Sequence, residues 1–361
     1  MIGDRGFYRT SPLLSRRAGL NPFFQIVGAL NCALMRVLLF GATGTIGQAT
    51  CKALLESGHE VVCFVRRQSG VNGHSSANQT QALLAGALLR FGDVLSVESV
   101  KNEGLQGQHF DAIVSCMASR TGEPKDAWAI DHHAHSQLLT LAKQAGIAQF
   151  VLLSAICVQK PLLAFQQAKL AFEKELRESG LVYSIVRPTA FFKSLSGQIK
   201  RLQQNKPFLL FGDGQLTACK PISDLDLGMF IAECLSDPTK HNRILPIGGP
   251  GDAITPLQQG KYLFKAMGKT PKYKHVPVAL LDIIIQVLKV AGWFVPSLAA
   301  KAELARIGRY YATESMLVWD TQAMRYDAQA TPSFGTQTLF EHYDQLLAGQ
   351  ANVQLGEHSV F

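Results

Sequence analysis

The sequence predicts an α/β fold with a doubly wound parallel sheet. Three observations point there. The first is the stretch RVLLFGATGTIG, Arg36 to Gly47. An apolar run (Val37, Leu38, Leu39, Phe40) meets three glycines spaced three apart, Gly41, Gly44 and Gly47. Residues Gln48 to Ser57 then have helical composition, so the unit reads strand, glycine turn, helix. The second is a continued alternation of short apolar runs with helix-like segments, the pattern of a parallel sheet covered on both faces. The third is bulk: 361 residues, 47% hydrophobic and 17% charged, enough for a substantial core in one large or two modest domains. The expected organisation is a Rossmann-like NAD(P)-binding domain over residues 35–250 and a smaller, mostly helical C-terminal substrate-covering region over 251–361. Residues 1–34 form an N-terminal extension.

The glycine turn carries chemistry. A tight turn, close backbone approach to a pyrophosphate and close helix–strand packing each require glycine. The helix that follows offers unpaired N–H groups and a positive dipole end to phosphates. Gly41, Thr43, Gly44, Thr45, Ile46 and Gly47 are therefore the candidate cofactor contacts. The second strand is Glu60 to Val65. About twenty residues past the first glycine, an NAD site carries an acid for the ribose 2′-hydroxyl. Arg66-Arg67 stands there instead, which suits a 2′-phosphate and favours NADPH; the plain alternative is a solvated pair of loop cations.

Gln68 to Thr80 is rich in Ser, Asn and Gly and reads as a loop. The third strand is Leu88 to Phe91. Asp93, with Val94 beside it, either faces the adenine or caps the helix-like segment Ser96 to Val100. The fourth strand lies in His109 to Ala118, running from Asp111, and the small residues after it leave room for a cofactor. His132, His133 and His135 follow Asp131; with no further ligand set beside them they read as a helix surface, not a metal site. Gln149 to Ser154 is the fifth strand and Val182 to Arg187 the sixth. Phe211-Gly212-Asp213-Gly214 reads as a tight turn.

The seven cysteines (32, 51, 63, 116, 157, 219 and 234) stand singly, with no CxxC or Cys/His spacing, which argues against zinc, iron–sulfur and disulfide frameworks and for a reducing compartment. The net charge of +8 comes without a long Lys/Arg run. It points to an anionic ligand or acidic surface, not to nucleic acid. Val276 to Leu298 is strongly apolar, but Asp282, Gln286 and Lys289 cluster on one side. That describes an amphipathic helix which packs on the core or touches a membrane surface. Trp293, Phe294, Tyr310, Tyr311 and Trp319 supply aromatic area, either for a flat ligand or for the core. Residues 1–34 carry Arg5, Arg9, Arg16 and Arg17 against Asp4. They read as a transit-like segment, a weak signal peptide, a disordered basic arm, or sequence upstream of a true start at Met35.

Ser154 ends a strand, and Phe165, Lys169 and Phe172 lie at i, i+4 and i+7, on one helix face. The order of glycine turn, strand-end Ser and aromatic-xxx-Lys resembles the short-chain dehydrogenase/reductase superfamily. In that family the residue four before the Lys is a Tyr, the usual acid/base. Phe165 has no proton to give, so the resemblance is to atypical members. It implies that Lys169 holds the nicotinamide ribose, that Ser154 lies at the cofactor and that Pro188 sits near the nicotinamide. The runs GATGTIG, SAICVQKPLLAFQQAKLAFEKEL, RPTAFFKSLSGQ and KPISDLDL together resemble the iron–sulfur-independent divinyl chlorophyllide a 8-vinyl-reductase family, from about Arg36 onward.

The resemblance implies NADPH-dependent reduction of a vinyl group on a tetrapyrrole to an ethyl group. Phe165, Phe191 and Phe192 are the candidates for an apolar substrate wall. Lys193, Lys200 and Arg201 either meet a pigment carboxylate or are exposed helix cations. Ser154 and Tyr183 are candidate proton donors, neither singled out by the sequence. The expected location is the cytoplasm, or the periphery of a photosynthetic membrane, in a bacterium, and a plastid if residues 1–34 are a transit peptide. Two other readings stay open: a reductase of another conjugated apolar substrate, and a non-catalytic NADP(H)-binding sensor or assembly factor.

Overall fold

The computed structural model describes residues 34–67, 76–293 and 295–350. Seven strands form one parallel sheet: β1 Arg36–Phe40, β2 Glu60–Val65, β3 Leu88–Phe91, β4 Ala112–Ser115, β5 Gln149–Leu153, β6 Val182–Pro188 and β8 Arg243–Ile247. Their spatial order is β3-β2-β1-β4-β5-β6-β8. Leu38 is registered against Val62 on one side and Ile113 on the other. The order reverses between β1 and β4, which opens a crevice at the carboxyl ends of those strands.

Alternation along β1 divides the core in two. Val37 and Leu39 point to one face and pack with Leu54 of helix α1 (Thr45–Glu56) and Ile231 of helix α5 (Asp224–Ser236). Leu38 and Phe40 point to the other face. They pack with Leu138 of α3 (His135–Gln144) and Phe172 of α4 (Ala164–Arg177). Helices α1 and α5 approach closely at Gly228, where an added Cβ would lie 2.6 Å from the Ala49 carbonyl carbon.

The C-terminal residues build a second cluster. A small sheet pairs β7 (Phe208–Phe211) with β9 (Tyr273–Val276), and α6 (Pro256–Ala266) and α9 (Leu339–Leu347) pack on it through Leu263, Phe264 and Tyr343. A hairpin of α7 (Val278–Gly292) and α8 (Pro296–Thr313) leads to the two-stranded β10 (Val318–Asp320) and β11 (Arg325–Asp327). No described helix is long and apolar enough to cross a membrane.

Two segments differ from the sequence reading. Helix α2 (Ala77–Leu83) starts inside the stretch read as a loop, because Ser76 and Gln79 close a capping box. The apolar run 276–298 is not one helix: α7 ends at Gly292 and Pro296 opens α8. Phe294 and residues 1–33 lie outside the described residues.

Candidate active site

The glycine turn closes over the crevice, and its three glycines have different jobs. Gly41 has φ +74°, and a Cβ there would lie 2.5 Å from the Cys116 carbonyl carbon, just beyond β4. A Cβ on Gly47 would lie 2.1 Å from the Gly41 carbonyl oxygen. Both are required by the protein's own packing. Gly44 is exposed and a Cβ there would meet nothing nearer than 3.4 Å, so its bareness faces outward and leaves the backbone open to close approach. Gly44 is also the N-cap of α1; no side chain caps that helix and its first turn holds no acid. An unopposed positive helix end beside a bare backbone fits a dinucleotide diphosphate.

Lys193 reaches this turn from the segment after β6. Its Nζ donates to Thr45 Oγ1 at 3.2 Å. Asp224, the first residue of α5, stands close enough to feel the Lys193 charge. Burial raises the Asp224 carboxyl to about 6, with Lys193 pulling the other way, and its Oδ1 is buried without a partner.

The outer end of the crevice carries the arginines. Arg66 follows β2, and Arg120, from the loop after β4, stands near it. Partial desolvation and then repulsion from Arg120 lower the Arg66 pKa, while Asp93 and Asp126 oppose the shift. Two like charges gathered at one edge suit an anion. Arg67 is turned aside and pairs with Glu103 at 3.2 Å. Asp93 is exposed; its Oδ1 accepts from the Leu95 N–H at 3.0 Å, and Ser96, not Asp93, caps the next helical turn. Val94 packs at the edge of the core beneath.

The inner end is built around Lys169. Its Nζ lies 2.9 Å from Asp131 Oδ1, both side chains are buried, and Asp131 Oδ2 and the neighbouring Gln166 Nε2 have no partner. His135 is buried beneath this pair. Its Nδ1 donates to the Ile130 carbonyl at 2.8 Å, so Nε2 accepts from the Ser115 hydroxyl at 2.8 Å. Burial, then the Lys169 charge, pushes His135 down to about 4 and keeps it neutral. The histidine run is therefore not simply a helix surface. His133 is exposed and His132 binds Glu175, but His135 belongs to the core.

Ser154 follows β5 directly and donates to Glu173 Oε1 at 2.5 Å; Glu173 is in turn held by Arg187. Pro188 is buried at the end of β6. Phe165 opens toward Gly122 and toward Ile307 of α8, so the C-terminal hairpin walls the slot beside Phe165. Phe191 is half-buried, packs against the core on the α1/α5 face of the sheet and bridges to Ile222. Phe192 faces the other way, into the C-terminal core, with its ring 5.1 Å from His342. Tyr183 sits at the start of β6, the end of the sheet opposite the crevice. Lys200 is exposed, and Arg201 donates to the Pro207 carbonyl.

Three residues at the site escaped the sequence reading. Arg120 and Asp131 carried no motif, and Tyr311 of α8 figured only as aromatic area. Tyr311 is the more exposed of the α8 tyrosines, and its hydroxyl lies 3.9 Å from Cys157 Sγ. Only the folded chain brings these residues to the crevice.

Residues 41–238 match the NAD(P)H-binding family model. The chain is 48% identical to the chloroplastic divinyl chlorophyllide a 8-vinyl-reductase of Cucumis sativus, over 90% of this chain and 79% of that protein. It is 46% identical to the protein of the same name in Arabidopsis thaliana, with the same coverage. Among solved structures, the leucoanthocyanidin reductase–NADPH complex of Vitis vinifera shares the fold, with a TM-score of 0.60 at 18% identity, covering 87% of this chain and 99% of that one. An NAD(P)H-binding domain and identity approaching one half along nine-tenths of the chain make this protein a member of the divinyl chlorophyllide a 8-vinyl-reductase family.

Proposed function

We propose that this protein reduces the 8-vinyl group of divinyl chlorophyllide a, or of a related divinyl pigment, to an ethyl group with NADPH, a step in chlorophyll or bacteriochlorophyll biosynthesis. The observation that carries the reading is the identity to reductases of that name, which runs through both the nucleotide-binding domain and the C-terminal hairpin. The slot agrees with it. Reduction of a carbonyl must protonate an oxyanion at once, and a phenol on α4 is valuable there. A vinyl arm conjugated to a macrocycle spreads its charge, so Phe165 at that position is tolerable.

Gly41, Thr43, Gly44, Thr45, Ile46 and Gly47 hold the diphosphate of the dinucleotide. Arg66, helped by Arg120, takes the 2′-phosphate, Arg67 contributes less because Glu103 engages it, and Asp93 and Val94 border the adenine. Ser154, Lys169 and Pro188 hold the nicotinamide ribose and ring, with Asp131 fixing the Lys169 ammonium. When bound, NADPH supplies the hydride. Phe165 and Phe191 line the apolar wall and exclude water; the chain's task is to bring the vinyl carbon to contact distance and hold it.

The outer face of α7 bears on where the protein works. Leu280, Ile283, Val287 and Val290 are exposed on one side, Trp293 is 81% exposed at its end, and Lys289 is exposed on the polar side. That composition suits the surface of a photosynthetic membrane, bacterial or plastid. Sedimentation with anionic-lipid vesicles tests this: Ile283→Glu with Val287→Glu should release the protein, and retention would contradict it. The reaction is tested by incubating the protein with NADPH and divinyl chlorophyllide a. A Soret band moving to shorter wavelength with NADPH oxidation supports the reading. NADPH binding without oxidation would instead mark a sensor.

A further inference from the structure

Hydride addition to a vinyl carbon leaves a carbanion-type pigment that must still be protonated on carbon. The described hydroxyls around the slot are mostly committed. Ser154 donates to Glu173. Tyr310 is 4% exposed and donates to the Cys157 carbonyl at 2.8 Å. Tyr326 donates to Glu314 at 2.5 Å. Tyr311 differs. It lies on α8, one turn beyond Ile307, the residue that reaches Gly122 beside Phe165. It is 37% exposed, and its partner is a thiol sulfur at 3.9 Å, a weak acceptor. That thiol, Cys157, is 2% exposed and near enough to Lys169 to feel its charge.

We propose that Tyr311 is the acid that protonates the reduced pigment, a phenol supplied by α8 in place of the one that α4 lacks at Phe165. This rests on the reading of the reaction given above. The hydride forms a C–H bond at one vinyl carbon and the π pair moves to the conjugated carbon beside it. The Tyr311 O–H then breaks, its proton forms the second C–H bond, and the phenolate recovers a proton from water before the next turnover. One NADPH and one solvent proton are consumed, and an ethyl group and NADP⁺ are formed. The exposed part of Tyr311 is not its hydroxyl: burial of that end raises it well above the usual phenol range, so it keeps its proton until a strongly basic carbon appears.

The test compares Tyr311→Phe with Tyr310→Phe in the full chain. Tyr311→Phe should lower kcat for divinyl chlorophyllide a by about 100-fold or more. The dissociation constants for NADPH and for the pigment, read by fluorescence, should stay within about twofold, since no binding hydrogen bond is lost. Tyr310→Phe removes a buried hydrogen bond on the same turn; it should lower Tm and leave kcat nearly unchanged. A fluorinated tyrosine at position 311, with its lower pKa, should shift the alkaline limb of the kcat–pH profile downward. A normal kcat for Tyr311→Phe, or equal losses in both variants tracking Tm, overturns the role of Tyr311 alone. No turnover by the unaltered protein overturns the reaction itself, and this assignment with it.

Discussion

The Lys169 ammonium lies 2.9 Å from Asp131 Oδ1, and neither side chain is open to solvent. Breaking a buried pair by removing one partner leaves an uncompensated charge. Asp131→Asn should therefore cost about 3 kcal/mol or more of stability and weaken NADPH binding. Adding Lys169→Met to that variant should recover much of the stability but not the binding. Denaturant melts and NADPH titration of the three variants form the check. Equal stability for Asp131→Asn and the unaltered protein would remove the pair from the account.

The two arginines after β2 are not equivalent. Arg67 is engaged by Glu103 on the surface, whereas Arg66 stands with Arg120 at the crevice edge. Arg66→Ser should weaken NADPH by about tenfold or more with little effect on NADH, since charge-assisted hydrogen bonds to phosphate are the strong ones. Arg67→Ser should do less. Equal loss of both cofactors in Arg66→Ser would mean that it does not read the 2′-phosphate.

Lys193 touches Thr45 at the start of α1, where the proposed function seats the diphosphate. Lys193→Met should weaken NADPH and NADH alike, by about tenfold, because both carry that group. The pigment carboxylate, one of the two roles the sequence left open beside an exposed helix cation, predicts the opposite pattern: a raised KM for pigment and unchanged cofactor affinity. Parallel titrations with both cofactors decide.

His135 makes stability depend on pH. Its folded pKa is depressed to about 4 against an ordinary 6.5, so the unfolded state binds more protons between those values. Stability is complete above about pH 6.5 and falls as the pH drops through the window, by at most about 3 kcal/mol. His135→Gln should be less stable at pH 7, with a shallower loss of Tm between pH 6.5 and 4. An identical slope in both proteins would contradict the assignment.

The parts legible in the sequence were those governed by local rules. The β1–turn–α1 unit, the strand order of types and the Phe165–Lys169 face follow from period, glycine spacing and helix geometry. What escaped depends on contacts between distant residues. That the Ser154 hydroxyl donates to Glu173 was not legible, since only the folded chain brings Glu173 and Arg187 together beside it. His135 looked like its exposed neighbours because π winding over Trp128–Ala134 changes which residues face inward. Phe191 and Phe192 are adjacent and chemically identical, yet Phe191 packs against the sheet core that holds Ile222 and Phe192 enters the C-terminal core.

The most direct measurement follows the isotope through the reaction. The protein is incubated in ordinary water with divinyl chlorophyllide a and NADPH carrying deuterium on both C4 positions, and the pigment is examined by mass spectrometry. The account predicts one deuterium in the new ethyl group for each NADPH oxidised, with the second hydrogen taken from water. An ethyl group without deuterium, or NADPH that stays bound and unoxidised while the vinyl group persists, would contradict it.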